Sequence, residues 1–501
     1  MPDSKRGVAA AAVLMATVGV FAAGPAQAAT PMDRFHHQTI TWRACTTGPD
    51  DRVGKTLDAA GAQCATVLVP MDYRRPDGRT VSVAISRVKA TDASRRRGVL
   101  LFNPGGPGGS GLQMPLLGKE VPEVGARYDL LGMDPRFVGR STPISCRWRT
   151  DTYLRSAGPD RPTFDKSVRL ARHLAAGCVA GNLQALPYAS TRNTARDMDV
   201  IRAALGERKL SYVGYSYGTY LGATYLQMFG SRADRVVLDS AVDPQVYGPR
   251  LLSRAAPAID AALRRWASWA ASRHKEYGLG STREAVLATV EKINRQPVTI
   301  GGYRVDSSVV ALWLMGRLYD DGPQASATLA KEARALSHAG KTPPPASFQE
   351  FLDGLFTGAG EASDRAGTAI LCADRAAPRD PEIYYRDIQR HRSAEPLFGP
   401  LVRNISPCAF WPVKPLEAPT TIGNSVPALI VSAEGDPATP YPGQQAMHHA
   451  LTGSRMITLT GAYRHTVYIA DKNTCVDTKV TCYLLDGHLP EADVTCSRPA
   501  G

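Results

Sequence analysis

Gly214-Tyr215-Ser216-Tyr217-Gly218 sets one serine between two glycines in the spacing G-x-S-x-G, the pattern that presents a nucleophilic hydroxyl on a sharp strand-to-helix turn. A serine hydroxyl attacks a carbonyl only when a base takes its proton and a third group orients that base. In this setting the partners follow in the order serine, acid, histidine. Asp436 closes ALIVSAEGD, and His465, 29 residues beyond Asp436, follows RMITLTG. Both stand where a loop leaves the end of a strand, and they are the candidate acid and base. Asp239, at the end of RVVLD, is a rival acid from a neighbouring strand, although a turn or backbone-capping role suits it better. Glu434 falls on the strand itself. His448 and His449 lie in the helical stretch QQAMHHAL and read as surface residues, while His36, His37, His173 and His274 precede the acid and fit the order badly.

Acyl transfer through a serine also needs amide donors for the oxyanion of the tetrahedral intermediate. One is expected from Tyr217, directly after the serine. The other is expected from NPGGPGGSG, residues 103–111, with Gly105 and Gly106 as candidates because glycine lets the backbone approach a substrate closely. A phosphate-binding loop is the competing use of such glycines, and the missing G-K-[ST] ending argues against it.

These residues need a scaffold that brings strand ends together. KLSYVGYS reads as a buried strand, followed by a helix from about Thr219 to Phe229 with Gly230 as its stop. Upstream, CATVLVP and TVSVAISRV suggest antiparallel strands, and GVLLFN and RYDLLGMD two buried ones. Thr194-Ala-Arg-Asp197 resembles a capping box that would open the helix before KLSYVGYS. RVVLD, ALIVSA and RMITLTG continue the strands. Short apolar strands alternating with amphipathic helices predict an α/β fold around a mainly parallel sheet covered on both faces. Residues 246–425 are mostly of helical period and read as an inserted cap. The expected division is therefore 1–28, an export signal; 29–245, the first part of the core; 246–425, the cap; and 426–501, the rest of the core with the acid, the base and a cysteine-bounded tail.

The signal is read from Lys5 and Arg6, the apolar run that follows, and the cleavage site Ala26-Gln27-Ala28. It makes the protein a secreted, extracellular one, with loose cell-wall association as a further expectation. Nine cysteines in an exported chain should mostly pair. Order and separation suggest Cys45 with Cys64, Cys146 with Cys178, Cys372 with Cys408 and Cys475 with Cys496, leaving Cys482 odd. No C-x-x-C spacing supports a metal site. The net charge of +13 is scattered except at Arg95-Arg96-Arg97, without the aromatic interleaving of a nucleic-acid surface.

Several segments in order resemble the secreted α/β-hydrolase peptidases of actinomycetes typified by the tripeptidyl aminopeptidases and related to the prolyl aminopeptidases. They are WRAC, CATVLVPMDYRRP, NPGGPGGSG, YDLLGMDPR, TRNTARDMDVIRAALGERKLSYVGYSYGTYLGATY, AILCADR, CAFWP, EGDPATPY and CVDTKVTCYLLDGHLP. The resemblance implies an α/β-hydrolase fold and a cofactor-free serine exopeptidase that releases short peptides, tripeptides among them, from the N termini of peptides and proteins. Ser216, Asp436 and His465 occupy its catalytic positions. Two stretches depart from the family's pattern: GAYRHTVY replaces a G-x-G-H around the base, and DPRFVGRS replaces D-x-R-G-x-G-x-S. An aminopeptidase must hold a protonated α-amine, for which a cap carboxylate is suited; Asp374 is the first candidate, then Glu361 and Asp364. The alternative is an esterase or lactonase acting on a small secreted metabolite, and a non-catalytic binding or cell-wall protein on the same scaffold is a more distant one.

Overall fold

The computed structural model describes residues 1–2, 30–339, 343–358 and 363–498; nearly all of the expected export signal lies outside the described residues. Strands form where the short apolar runs predict them: β1 Gln63–Pro70, β2 Thr80–Val88, β3 Gly98–Asn103, β4 Tyr128–Met133, β5 Leu210–Tyr215 and β6 Ala233–Asp239. Two short strands, β7 Val298–Ile300 and β8 Tyr303–Val305, precede β9 Ala428–Ala433, β10 Ser454–Thr460 and β11 Val494–Ser497. Apart from β7 and β8, which pair with each other, they make one nine-stranded sheet in the order β1-β2-β4-β3-β5-β6-β9-β10-β11. Only β2 runs against its neighbours; the remaining pairs are parallel. This is the sheet of an α/β-hydrolase, extended by the edge strand β11.

β3, β4, β5 and β9 are buried at every position, as strands covered on both faces must be. Alternate side chains of these strands and of β6 serve two cores. Leu101, Tyr212, Leu238 and Ile430 pack with the helices Thr191–Ala204 and Tyr217–Phe229. Leu100, Phe102, Val213, Val237 and Val431 pack on the other face with Pro122–Arg127 and Thr474–Asp486. Each such side chain fully buried contributes about 1.5–3 kcal/mol, which makes the two faces the main support of the site.

β4 is laid on one side of β3 and β5 on the other, so growth of the sheet reverses at β3. β3 and β5 are neighbours, with Asn103 opposite Gly214, and a crevice opens beyond their carboxyl ends at this switch point. Topology therefore brings the glycine-rich loop after β3 beside the G-x-S-x-G turn after β5.

The helix Thr191–Ala204 begins one turn before the expected capping box. Ser190 accepts the Asn193 amide, while Thr194 is buried within the helix and Asp197 is occupied by Arg136. Between β6 and β9, helices including Ala256–Ala271, Ser307–Arg317, Pro323–Ser337 and Ala346–Thr357 surround a separate core built on Ile259, Trp266, Trp313, Leu329 and Leu352. This stretch is not wholly helical: β7 and β8 form a hairpin through Gly301 and Gly302, at φ of 59° and 83°, the left-handed backbone that a two-residue hairpin turn requires. The helix Ser363–Asp374 returns to the sheet side, where Ile370 and Leu371 join the core.

The four disulfides pair as expected, Cys45–Cys64, Cys146–Cys178, Cys372–Cys408 and Cys475–Cys496, and Cys482 is free and exposed. Each bridge restricts the unfolded chain by about 2–4 kcal/mol. Among the described residues no helix is long and apolar enough to cross a membrane, and no His, Cys, Asp and Glu cluster could hold a metal ion.

Candidate active site

Ser216 sits at φ 55° and ψ −124° between β5 and the helix Tyr217–Phe229, a strained conformation for a residue with a side chain. Packing fixes the glycines around it. A Cβ on Gly214 would lie 2.4 Å from the Gly218 carbonyl oxygen, and one on Gly218 would lie 2.8 Å from Asn103 Oδ1. The turn is secured by the Ser216 amide, which donates to the Asp239 carbonyl at 2.9 Å, and by Thr219, whose amide and hydroxyl donate to the Ser216 carbonyl. The Ser216 side chain lines a cavity of about 380 Å³, together with Met315, Gly316 and Tyr319 from the stretch between β6 and β9.

The glycine-rich loop presses against this turn. Gly105, at φ 97°, has no room for a Cβ, which would fall 2.5 Å from the Tyr215 carbonyl oxygen and 2.9 Å from Ser216 Cβ. Its amide donates to Asn103 Oδ1 at 3.0 Å and is not free for a substrate. Gly106 lines the cavity. The amides of Gly106 and Tyr217 find no protein acceptor among the described residues. Of the two loop candidates, Gly106 is thus the available donor, and Gly105 supplies the close approach.

Asp436 is fully buried and reaches His465 Nδ1 at 3.0 and 3.1 Å through its two oxygens. A carboxylate can only accept here, so Nδ1 carries the hydrogen and Nε2 is left for a proton from a hydroxyl. Asp436 also accepts from the amides of Ala438 and Thr439, from the Thr439 hydroxyl at 2.9 Å and from Gln444 Nε2. Burial by itself would lower the His465 pKa; the Asp436 charge and hydrogen bond, with the Asp239 charge behind them, outweigh it and raise the pKa. The Tyr319 ring lies 5.4 Å from the imidazole. Sequence reasoning did not single out Thr439, Gln444 or Tyr319, since each acts through a contact invisible until the loops are folded.

Asp239 does not take the acid's place. Its carboxylate accepts the amides of Val467 and Tyr468, the latter at 2.6 Å, and the Ser240 hydroxyl at 3.0 Å, so it caps the loop that bears His465. Burial, partly offset by these bonds, pushes its carboxyl up to about 6. His448 is bonded to Ser454 and Asp493 instead of facing the cavity.

The helix Ser363–Asp374 separates the carboxylates considered for amine binding. Asp364, Gly367, Thr368 and Leu371, at i, i+3, i+4 and i+7, line the cavity with Ser216 and His465. Gly367 lies so close to the glycine-rich loop that a Cβ would meet the Pro107 carbonyl oxygen at 2.2 Å. Asp364 has no arginine or lysine partner among the described residues, and burial pushes its carboxyl up to about 6 against a hydrogen bond from Thr152. Asp374 lies outside the cavity. It accepts the Thr191 amide and hydroxyl at 2.7 and 2.5 Å and the Tyr247 hydroxyl at 2.8 Å, and Thr191 in turn bonds the Tyr217 hydroxyl. Asp374 therefore props the helix that follows Ser216. Glu361 lies outside the described residues.

The unusual DPRFVGRS stretch is structural. Asp134 holds the glycine-rich loop through the Ser110 hydroxyl and the Gly111 amide. Arg136, fully buried, pairs with Asp197 and donates to the carbonyls of Pro70, Met71 and Tyr188. A larger cleft of about 830 Å³, lined by Arg155, Lys166 and Asp306 among others, contains none of the residues discussed above as serine, acid or base.

The family of TAP-like proteins matches residues 395–496, which carry Asp436 and His465. A tripeptidyl aminopeptidase of Streptomyces lividans is 36% identical over 87% of this chain and 83% of its own. The serine protease Hip1 of Mycobacterium tuberculosis strain H37Rv is 30% identical over 92% of this chain and 91% of its own. A carboxylesterase B of the same strain is 31% identical over 91% and 90%. With its sheet order, its G-x-S-x-G turn and relatives of this extent, the chain belongs to the tripeptidyl aminopeptidase family of α/β-hydrolases.

Proposed function

We propose that the protein is a serine exopeptidase that removes tripeptides from free N termini of peptides and proteins through an acyl-enzyme. One observation carries this reading: Ser216, the Asp436-bound His465 and Asp364, a carboxylate with no arginine or lysine partner among the described residues, line a single cavity. Its volume of about 380 Å³ is near the lower end for ligand pockets, suited to a short terminal segment.

His465 Nε2 takes the Ser216 hydroxyl proton as Oγ attacks the scissile carbonyl. The amides of Tyr217 and Gly106 hold the oxyanion, and Asp436 stabilises the imidazolium. The proton then passes to the departing amine, leaving the N-terminal segment esterified to Ser216. Water, deprotonated by the same imidazole, hydrolyses that ester. Asp364 binds the substrate's α-ammonium, and its fixed distance from Ser216 limits how many residues lie between the amine and the scissile bond.

The disulfides support an exported protein, and the basic surface supports loose attraction to an anionic cell wall. The carboxylesterase relative makes ester hydrolysis the second reading. Hydrolysis of a tripeptide anilide, its N-acetyl form and a simple acyl ester separates the two. The exopeptidase should favour the free amine strongly; equal rates on free and acetylated anilides would leave the esterase.

A further inference from the structure

The base-bearing loop GAYRHTVY departs from the family's pattern, and its contacts supply a use for the departure. Thr466, Ile469 and Lys472 all have positive φ, 69°, 69° and 58°, a backbone that persists only when its surroundings hold it. From the core side, Ser240 Oγ accepts the Thr466 amide and Asp239 accepts those of Val467 and Tyr468. On the opposite side the holders belong to the cap. The Tyr319 carbonyl accepts the His465 amide at 2.8 Å, and Asp321 Oδ2 accepts the Tyr463 amide at 2.9 Å.

Four chain segments remote in sequence meet there. Arg498, just past β11, grips Asp321 with both terminal nitrogens at 2.6 and 2.8 Å and also bonds Asp471 at 3.0 Å. Arg464 stands between Asp320 and Asp471, 3.6 and 3.5 Å away, and its Nε donates to the Thr466 carbonyl at 2.9 Å. Arg265, from the cap helix Ala256–Ala271, lies 4.9 Å over the Tyr463 ring. A paired guanidinium–carboxylate fork fixes geometry as well as charge.

We propose that Asp321, Arg464 and Arg498 are positioning residues that fasten the cap to the base loop, so that His465 is correctly placed only while the cap is docked. The cap is then part of the support of the base as well as a wall of the cavity. This rests on His465 being the base. It separates from cap-mediated substrate binding because a small ester, which carries no ammonium for Asp364 to hold, should feel the loss equally.

The test uses the full chain with Asp321→Asn, Arg464→Met and Arg464→Lys, and measures kcat and KM separately on a free-amine tripeptide anilide and on p-nitrophenyl acetate. A loosened base should cost about ten- to a hundredfold in kcat on both substrates, with KM changed less than about twofold and Arg464→Lys recovering most of the loss. Labelling of Ser216 by a fluorophosphonate should slow in parallel in the folded fraction, which keeps the test valid if one variant folds poorly. Unchanged kcat on the acetate, or a loss confined to the peptide KM, would overturn the clamp. Full activity in His465→Ala would instead overturn the assignment of the base.

Discussion

Replacing Asp364 by asparagine should separate recognition from stability in opposite directions. The carboxylate lies in the cavity wall without a basic partner among the described residues, and burial lifts its pKa to about 6. A hydrogen bond to a charged group contributes about 1.5–3 kcal/mol. At about 1.4 kcal/mol per decade, losing its bond to an α-ammonium should raise KM roughly ten- to 150-fold for a free-amine tripeptide anilide. An N-acetylated anilide has no ammonium to lose and should be unaffected. The linkage sign is opposite to that of an ordinary ion pair: the folded-state pKa lies above the unfolded one, so folding binds a proton and stability falls as pH rises from about 4 to 6. Above that window the buried charge costs the fold on the order of 1–3 kcal/mol. Asp364→Asn should therefore lose affinity while its melting temperature at pH 7.5 holds or rises. A variant with unchanged KM for the free-amine substrate, or with KM raised equally for both substrates, would refute the assignment.

Because Asp436 raises the His465 pKa and the base must be neutral to act, the acid limb of kcat/KM should fall above the ordinary histidine value of 6.5; a pH profile with its limb below 6 would count against the pair. Gly106→Ala places a Cβ 2.9 Å from the Gly108 amide nitrogen at φ 108°, and should lower kcat by about a hundred- to a thousandfold with little change in KM, read by steady-state kinetics. Asp374→Asn should cost about 1–3 kcal/mol of stability through its broken bonds to Thr191. In denaturant melts that loss should appear without any change in the ratio of free-amine to acetylated substrate affinity.

The G-x-S-x-G turn and the Asp436–His465 pair proposed as acid and base were legible because their signals are local: each follows a short apolar strand, and chain order suggests the partners. The glycine-rich loop was legible as a loop, but the choice between Gly105 and Gly106 as the proposed oxyanion donor depends on where the Asn103 side chain points. Asp364 and Asp374 are ten residues apart on one helix, about 15 Å along its axis. Which end reaches the cavity is decided by where that helix crosses the glycine-rich loop at Gly367, a tertiary fact. The capping box misled because Thr194 and Asp197 match the pattern, while Asp197 pairs with the buried Arg136 and the Thr194 hydroxyl bonds the Ser190 carbonyl inside the helix. The β7–β8 hairpin was masked by strands too short to show alternation, although its paired glycines were a usable turn signal. The base loop looked anomalous for a similar reason, since Arg464 faces partners at 320 and 471 that come together only in the fold.

The most direct test of the central claim is mass spectrometry of products from an unblocked decapeptide and its N-acetylated twin, with the native enzyme and with Ser216→Ala. The account predicts an N-terminal tripeptide and a chain shortened by three residues from the free peptide alone, with the acetylated twin intact and Ser216→Ala inert. Internal cleavage of both peptides alike, or cleavage that persists in Ser216→Ala, would contradict it.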